Sequence, residues 1–286
     1  MASMRGPKRS ISIEQIVTRL VAFAAVVAVV IVVAVQSPRW WPAVAQLLGI
    51  TTTEIAEQVP GDGWNVPLPD ATVPENVPTV EEASQAVHAA WEKAQQGDIL
   101  PADVPGLDGI LDSLQPQSTS RIPDYNRDLF GSSWFDVDGN LCDTRNDVLQ
   151  RDMRDTHLAA DQCKVMSGVL DDPYTGSVIS FVRGEQSSQA VQIDHIIPLS
   201  YAWKHGAWSW DDSARLAFAN DPANLLAVDG PTNNGKGDKG PARWMPPNES
   251  YRCVYATKFV TVAATYDLQI SEDDRQSLAA TIASCS

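Results

Sequence analysis

An uninterrupted apolar run near the amino terminus constrains this chain more than any other feature. Leu20 to Val35 is a stretch of 16 residues without one polar side chain, so it has no polar face to turn toward water. It is preceded by Arg5, Lys8, Arg9 and Arg19 and followed by Trp40 and Trp41. Basic residues resist translocation and tryptophans favour the membrane interface. The pattern therefore predicts a membrane-crossing helix, with residues 1–19 as a basic cytoplasmic tail and everything beyond Trp41 outside the cytoplasm.

Two interpretations of this helix remain open. The apolar run alone spans about 24 Å at the helical rise, and residues 36–41 extend it toward the roughly 30 Å of a hydrocarbon core. Residues 20–41 would then be a retained transmembrane anchor. Alternatively, Ala43-Val44-Ala45 has the small-residue pattern of a signal peptidase site, ten residues beyond Val35. We favour the anchor, and in both cases the carboxy-terminal bulk of the chain is exported.

Residues 42–120 are predicted to form an acidic, proline-rich spacer. From 51 to 120 the only basic residue is Lys93, against twelve acidic residues and eight prolines. Such a composition can hardly build a core, so we expect an extended segment with one helix near Glu82 to Gln95. The folded domain is predicted at 121–286. The net charge of −15 argues against broad coating of nucleic acid, although a local phosphate site is allowed.

The cysteines indicate an oxidising compartment. All four, Cys142, Cys163, Cys253 and Cys285, follow the apolar run, and none forms a C-x-x-C pair. An even number of exported cysteines predicts two disulfides. Of the three possible pairings we favour Cys142–Cys163 with Cys253–Cys285, because each closes a local loop.

The hydrophobic pattern of the domain mixes helices and strands. Helical pieces are predicted at Val148–Ala160, Ser200–Trp210 and Ser213–Ala219, and strands at Val178–Val182, Val191–Ile193 and Asn224–Val228. From Pro231 we expect a glycine-rich loop that leads into a helix. Tyr255–Thr265 can be a helix or a strand.

Three short strings carry the chemistry of the domain. They are Asp194-His195-Ile196-Ile197-Pro198-Leu199-Ser200, Asn224-Leu225-Leu226 and Asn233-Asn234-Gly235-Lys236. At these residues the chain resembles the HNH, or His-Me finger, endonucleases, in particular the carboxy-terminal nuclease domain of GmrSD-type restriction enzymes and its exported actinobacterial relatives. The resemblance implies an α+β fold with helical insertions around a ββα-metal core. In that core two antiparallel strands and a helix surround one divalent metal.

The residue types suit hydrolysis of a phosphodiester. The reaction needs a base for water, a hard cation and a positive group near the phosphate. His195 offers a neutral imidazole as the general base. Asp194 and Asn233 offer oxygen ligands, which suit Mg²⁺, with Mn²⁺ as an alternative.

The resemblance assigns roles to the remaining motif residues. Asn224 matches the residue that fixes the loop bearing the histidine. Asn233 stands where relatives have a histidine or asparagine metal ligand, and Lys236 matches a lysine that faces the scissile phosphate. Arg145 lies in a string shared with the exported relatives and is a second candidate for phosphate binding, with a structural salt bridge as the alternative. The 28 residues between His195 and Asn224 exceed the family minimum.

The sequence therefore predicts a metal-dependent endonuclease that cleaves DNA, or RNA, outside the cytoplasm. Its expected partners are the nucleic-acid substrate and, through residues 20–41, the membrane. A catalytically inactive cell-envelope binding module with the same fold is the alternative from another functional class. A phosphodiesterase for a substrate other than nucleic acid is a second enzymatic alternative.

Overall fold

The computed structural model describes residues 80–184 and 189–285, all within a single compact unit. The predicted membrane segment, 20–41, and the spacer up to residue 79 lie outside these ranges. Among the described residues, no helix is sufficiently long and apolar to span a bilayer.

Helices and small antiparallel sheets make up the described structure. The helices are α1 Val80–Gln96, α2 Leu107–Ser113, α3 Thr144–Asp152, α4 Leu199–Lys204, α5 Asp212–Ala219, α6 Gly230–Lys236, α7 Arg252–Thr265 and α8 Glu272–Ala283. The strands are β1 Met153–Leu158, β2 Val165–Asp171, β3 Val178–Val182, β4 Val191–His195 and β5 Leu225–Asp229. One sheet has the order β1-β2-β3, and β4 pairs with β5 in a second. The mixed α+β class is as predicted.

The β4–β5 pair and α6 form the part of the fold that carries the motif. The strands are antiparallel, with Asp194 opposite Leu226 and His195 opposite Leu225. Successive side chains of a strand point to opposite faces. Val191 and Ile193 accordingly belong to a buried cluster that also contains residues of α3, whereas the other face of β4 contacts α6.

The helix α6 follows β5 directly. Asp229 caps it, because its side chain accepts a hydrogen bond from the Thr232 N–H. A Cβ at Gly230 would clash with the Gln189 carbonyl oxygen, so glycine permits the close approach of α6 to the start of β4. The predicted order, a glycine-rich loop and then a helix, is wrong. Asp229 and Pro231 start the helix at once, and the chain turns at Gly237, where φ is +58°.

The predicted domain boundary at residue 121 is too late for the described structure. Helix α7 lies in the centre of the main core, and α1, α2 and α8 pack against it. The core includes Ala90 and Ala94 of α1 and Leu107 and Leu111 of α2. These apolar residues recur at helical spacing within the acidic segment, so they build a buried face there.

The prediction of a helix over Val148–Ala160 is wrong in its second half. Helix α3 ends at Asp152 and strand β1 begins at Met153. Pairing of β1 with β2 over Met153 to Leu158 overrides the local helical pattern. The predicted strand Val178–Val182 is confirmed, and the ambiguous segment Tyr255–Thr265 is helical.

Both predicted disulfides are present. Cys142–Cys163 joins the loop before α3 to the loop between β1 and β2, and Cys253–Cys285 joins the first turn of α7 to the residues after α8. The second bridge therefore holds α8 against the central helix.

Candidate active site

Strand β4 ends with two side chains of the motif, which point in opposite directions. Asp194 is buried on the side of α6, and His195 is partly exposed on the side of α5. This divergence follows from the twofold repeat of a strand. Asp194, the predicted metal ligand, and His195, the predicted general base, therefore lie on opposite faces of the strand.

Two side chains, Lys236 and Tyr174, fix the Asp194 carboxylate. Lys236 is 0% exposed, and its Nζ donates to Asp194 Oδ2 and to the His195 carbonyl oxygen, each at 2.6 Å. The Tyr174 hydroxyl donates to the same Oδ2 at 2.5 Å. Burial, together with the charge of Asp194, raises the pKa of Tyr174 well above its ordinary value, so the phenol stays a donor. Oδ1 has no protein donor in the described part of the chain.

The protonation state of His195 follows from its contacts. Its Nε2 lies 2.8 Å from the Ala219 carbonyl oxygen. A carbonyl oxygen only accepts hydrogen bonds, so Nε2 carries the hydrogen and Nδ1 keeps a lone pair. Burial lowers the pKa of His195 to about 4, against the opposing effects of the Ala219 carbonyl and the Asp194 charge. At neutral pH His195 is therefore a neutral imidazole with an available base at Nδ1.

Asn224 holds the turn that follows His195. Its Oδ1 accepts from the Ile197 N–H at 2.8 Å, and its Nδ2 donates to the Ile197 carbonyl oxygen at 3.3 Å. Its own carbonyl oxygen accepts from the Ile196 N–H at 2.8 Å. Because Asn224 is 0% exposed, these bonds are shielded from water and fix the backbone behind His195.

Asn233 lies on α6 and faces β4. Its Nδ2 donates to Gln192 Oε1 at 2.9 Å. Its Oδ1 has no donor among residues 80–184 and 189–285, like Asp194 Oδ1. Two oxygens of this kind suit a hard cation that takes its other ligands from water and phosphate. No group of three or more His, Cys, Asp and Glu residues in the described ranges is arranged for a metal.

The two predicted phosphate-binding cations occupy other positions. Lys236 was expected to face the phosphate. Its ammonium group is instead enclosed by protein and bound to Asp194, so its charge is not open to a ligand. Arg145 is half-buried at the start of α3. Its guanidinium lies 3.5 Å from the Val191 carbonyl oxygen, at the far end of β4 from His195, and 5.9 Å from the centre of the Trp134 ring.

Several groups in the site were not predicted. Tyr174 and Gln192 hold the motif side chains, and the Ala219 carbonyl orients His195. Asp172-Pro173-Tyr174 has the composition of a turn, but nothing in the string shows that the turn folds onto Asp194. The Asp229 N–H donates to Asp172 Oδ1 at 2.8 Å, which ties this turn to the end of β5.

A small cavity opens beside His195. It has a volume of about 80 Å³, and its lining includes Arg127, Trp134, Ala219 and the loop 131–133. Arg127 lies outside the motif strings and was not predicted as a site residue.

Known proteins match the part of the chain that contains most residues of this site. Residues 143–281 match the family described as GmrSD restriction endonucleases, C-terminal domain. An uncharacterized secreted protein of Arthroderma benhamiae is 36% identical over 191 residues, which cover 65% of this chain and 89% of that protein. No solved structure matches the chain. The family match includes all five motif residues: Asp194, His195, Asn224, Asn233 and Lys236. Arg127 lies before the matched range.

Proposed function

We infer that this chain, which belongs to the family of the C-terminal domain of GmrSD restriction endonucleases through residues 143–281, is an endonuclease of the HNH type. Its proposed substrate is DNA, with RNA as the alternative. The observation that carries this proposal is the geometry of His195: a neutral imidazole, fixed through Nε2 and adjacent to an anchored carboxylate, is a prepared general base.

In the proposed reaction, His195 Nδ1 accepts a proton from a water molecule. The water oxygen bonds to phosphorus, and the bond from phosphorus to the leaving oxygen breaks. The Ala219 carbonyl stabilises the imidazolium that results, because it accepts the Nε2 hydrogen throughout. Asn224 and Lys236 act as positioning residues: one holds the turn after His195, and the other binds the His195 carbonyl oxygen.

A divalent cation is part of the proposal. Asp194 and Asn233 would hold it through their Oδ1 atoms, and Mg²⁺ suits such oxygen ligands, with Mn²⁺ as the alternative. When bound, the ion would neutralise negative charge on the phosphate and on the leaving oxygen. Lys236 and Tyr174 both donate to Oδ2 and so orient the Asp194 carboxylate for this role.

We propose that the enzyme acts outside the cytoplasm. Two disulfides fit an oxidising compartment, and the relative from Arthroderma benhamiae is described as secreted. Residues 20–41 would hold the protein in the membrane, and cleavage after residue 45 would release it.

Plasmid cleavage tests the metal-dependent reaction. Purified full-length protein, stripped with EDTA, should leave supercoiled plasmid intact, and added Mg²⁺ or Mn²⁺ should restore nicking. Full cleavage in EDTA would contradict the metal site. Intact plasmid and intact RNA under every metal condition would favour the inactive binding module.

A further inference from the structure

Among the described residues, neither of the two cations predicted from the sequence is placed to bind the charge of the substrate. A phosphodiester in the transition state gains negative charge and needs a positive group beside it. Lys236 is enclosed by protein and bound to Asp194, and Arg145 lies at the far end of β4. A cation that remains open to solvent must therefore come from another element.

Arg127 satisfies this requirement. It is exposed and lines the cavity beside His195. In the part of the chain that the structure describes, Arg127 forms no ion pair with a carboxylate, and the hydroxyl of Tyr125 is a neutral neighbour. The guanidinium is thus close to the proposed base and available to a ligand.

The cavity suits a compact anion. Its volume of about 80 Å³ is well below the roughly 300–1,000 Å³ typical of sites for larger organic ligands. Ser132 and Ser133 also line it, and their hydroxyls have no hydrogen-bond partner within the described ranges. A guanidinium and two hydroxyls are donors that phosphate oxygens accept.

The loop that carries these hydroxyls is held in place. Asn220 is buried; its Oδ1 accepts from the Phe135 N–H at 2.9 Å, and its Nδ2 donates to the Ser132 carbonyl oxygen at 3.4 Å. Gly131 and Trp134, at the ends of the loop, have φ values of +77° and +61°. A bulky residue in the left-handed region persists only where its surroundings enforce it. The backbone that carries the two serine hydroxyls is therefore held in place.

We propose that Arg127, with the hydroxyls of Ser132 and Ser133, binds a phosphate of the nucleic acid on the His195 side of the active site. This inference rests on the proposed nuclease function and adds the residue that recognises the charged backbone of the substrate. Asp128 lines the same cavity, and its carboxylate repels a phosphate placed there. Removing the charge of Arg127 should therefore weaken substrate binding, and removing the charge of Asp128 should strengthen it.

Cleavage kinetics of the full-length protein test the proposal. The substrate is a labelled oligonucleotide, and KM and kcat are measured from about 50 to 200 mM salt. Arg127→Gln should raise KM by about tenfold and reduce the salt slope by about 1, as expected for loss of one phosphate contact. Arg127→Lys should restore part of the affinity. Asp128→Asn should lower KM by about twofold or more, because it removes a repelling charge.

Lys164→Gln is the matched control, since Lys164 is an exposed cation on the β1–β2 loop and does not line the cavity. It should change KM by less than about twofold, and circular dichroism should show that all variants are folded. If the wild type cleaves and Arg127→Gln behaves like Lys164→Gln, the proposal about Arg127 is wrong while the nuclease function stands. If the wild type neither cleaves nor binds the oligonucleotide with any metal, the proposed function fails and this inference fails with it.

Discussion

His195 owes its chemical state to two features at the residue scale. The Ala219 carbonyl fixes which ring nitrogen carries hydrogen, and burial lowers the pKa of the ring to about 4. A histidine in water would be half protonated near pH 6.5. The protein therefore keeps this imidazole neutral over a wider range of pH than an exposed histidine could.

This shift predicts the acid side of the pH profile. The proposed base can accept a proton only when neutral, so the single-turnover rate should stay high from pH 8 to about pH 5 and fall as the pH drops through about 4. The measurement uses saturating Mg²⁺ and buffers of constant ionic strength, after a check that the protein stays folded at each pH. An acid limb centred between pH 6 and 7 would show that His195 is not held neutral by its surroundings.

The buried pair of Lys236 and Asp194 predicts a large effect on stability. Lys236→Met removes the cation and leaves Asp194 as an uncompensated buried charge, which typically costs about 3–5 kcal/mol. Urea unfolding should show this loss. Lys239→Met is the control, because Lys239 is an exposed lysine three residues further along the chain, and it should change stability by less than about 0.5 kcal/mol. The double variant Asp194→Asn/Lys236→Met should recover part of the loss, and no recovery would mean that the two charges are not coupled.

At the scale of elements, the sequence predicted a strand or helix correctly where one local hydrophobic pattern determines it. Strand β4 and its antiparallel partner β5 were predictable because each is a short apolar run beside turn residues. Strands β1 and β2 were missed, since β1 is rich in polar residues and exists through its pairing with β2. The residue types of the site were likewise predictable from the motif, but the direction in which the Lys236 side chain points was not. That direction depends on how α6 packs against β4, which no spacing along the chain reveals.

The bridge between α7 and α8 should contribute measurably to stability. Cys253 and Cys285 are 32 residues apart, and closing a loop of that size stabilises a fold by about 3–4 kcal/mol on the chain-entropy estimate. The variant with both residues changed to serine should lose about that much in urea unfolding. The same change at Cys142 and Cys163, 21 residues apart, closes a shorter loop and should cost slightly less. Equal stability with and without reducing agent would contradict both estimates.

At the scale of the whole molecule, the acidic segment is not merely a spacer. Helix α1 supplies apolar residues to the main core and satisfies polar groups inside it. The Trp91 Nε1 donates to Asp221 Oδ2 at 2.8 Å, and Lys258 Nζ donates to the Ala94 carbonyl oxygen at 2.9 Å. The sequence did not predict this packing, because the segment has few aromatic residues and α1 contributes alanines at helical spacing to the core.

Two truncations test the role of α1. A protein that begins at residue 80 should unfold cooperatively with nearly unchanged stability. A protein that begins at residue 97 leaves Asp221 and Lys258 without these partners and exposes the face of α7 that α1 covers. It should lose cooperative thermal unfolding, measured by circular dichroism and calorimetry. Equal melting of the two truncated proteins would show that the core does not need α1.

The central claim is that His195 is the general base of a nuclease, and its most direct test compares two full-length proteins. Wild type and His195→Gln are assayed side by side for initial rates of plasmid nicking in Mg²⁺, with circular dichroism and urea unfolding as controls for the fold. We predict that His195→Gln remains folded and that its rate falls by about 10² or more, the size expected for loss of a general base. A folded His195→Gln protein that nicks plasmid at the wild-type rate would contradict the claim.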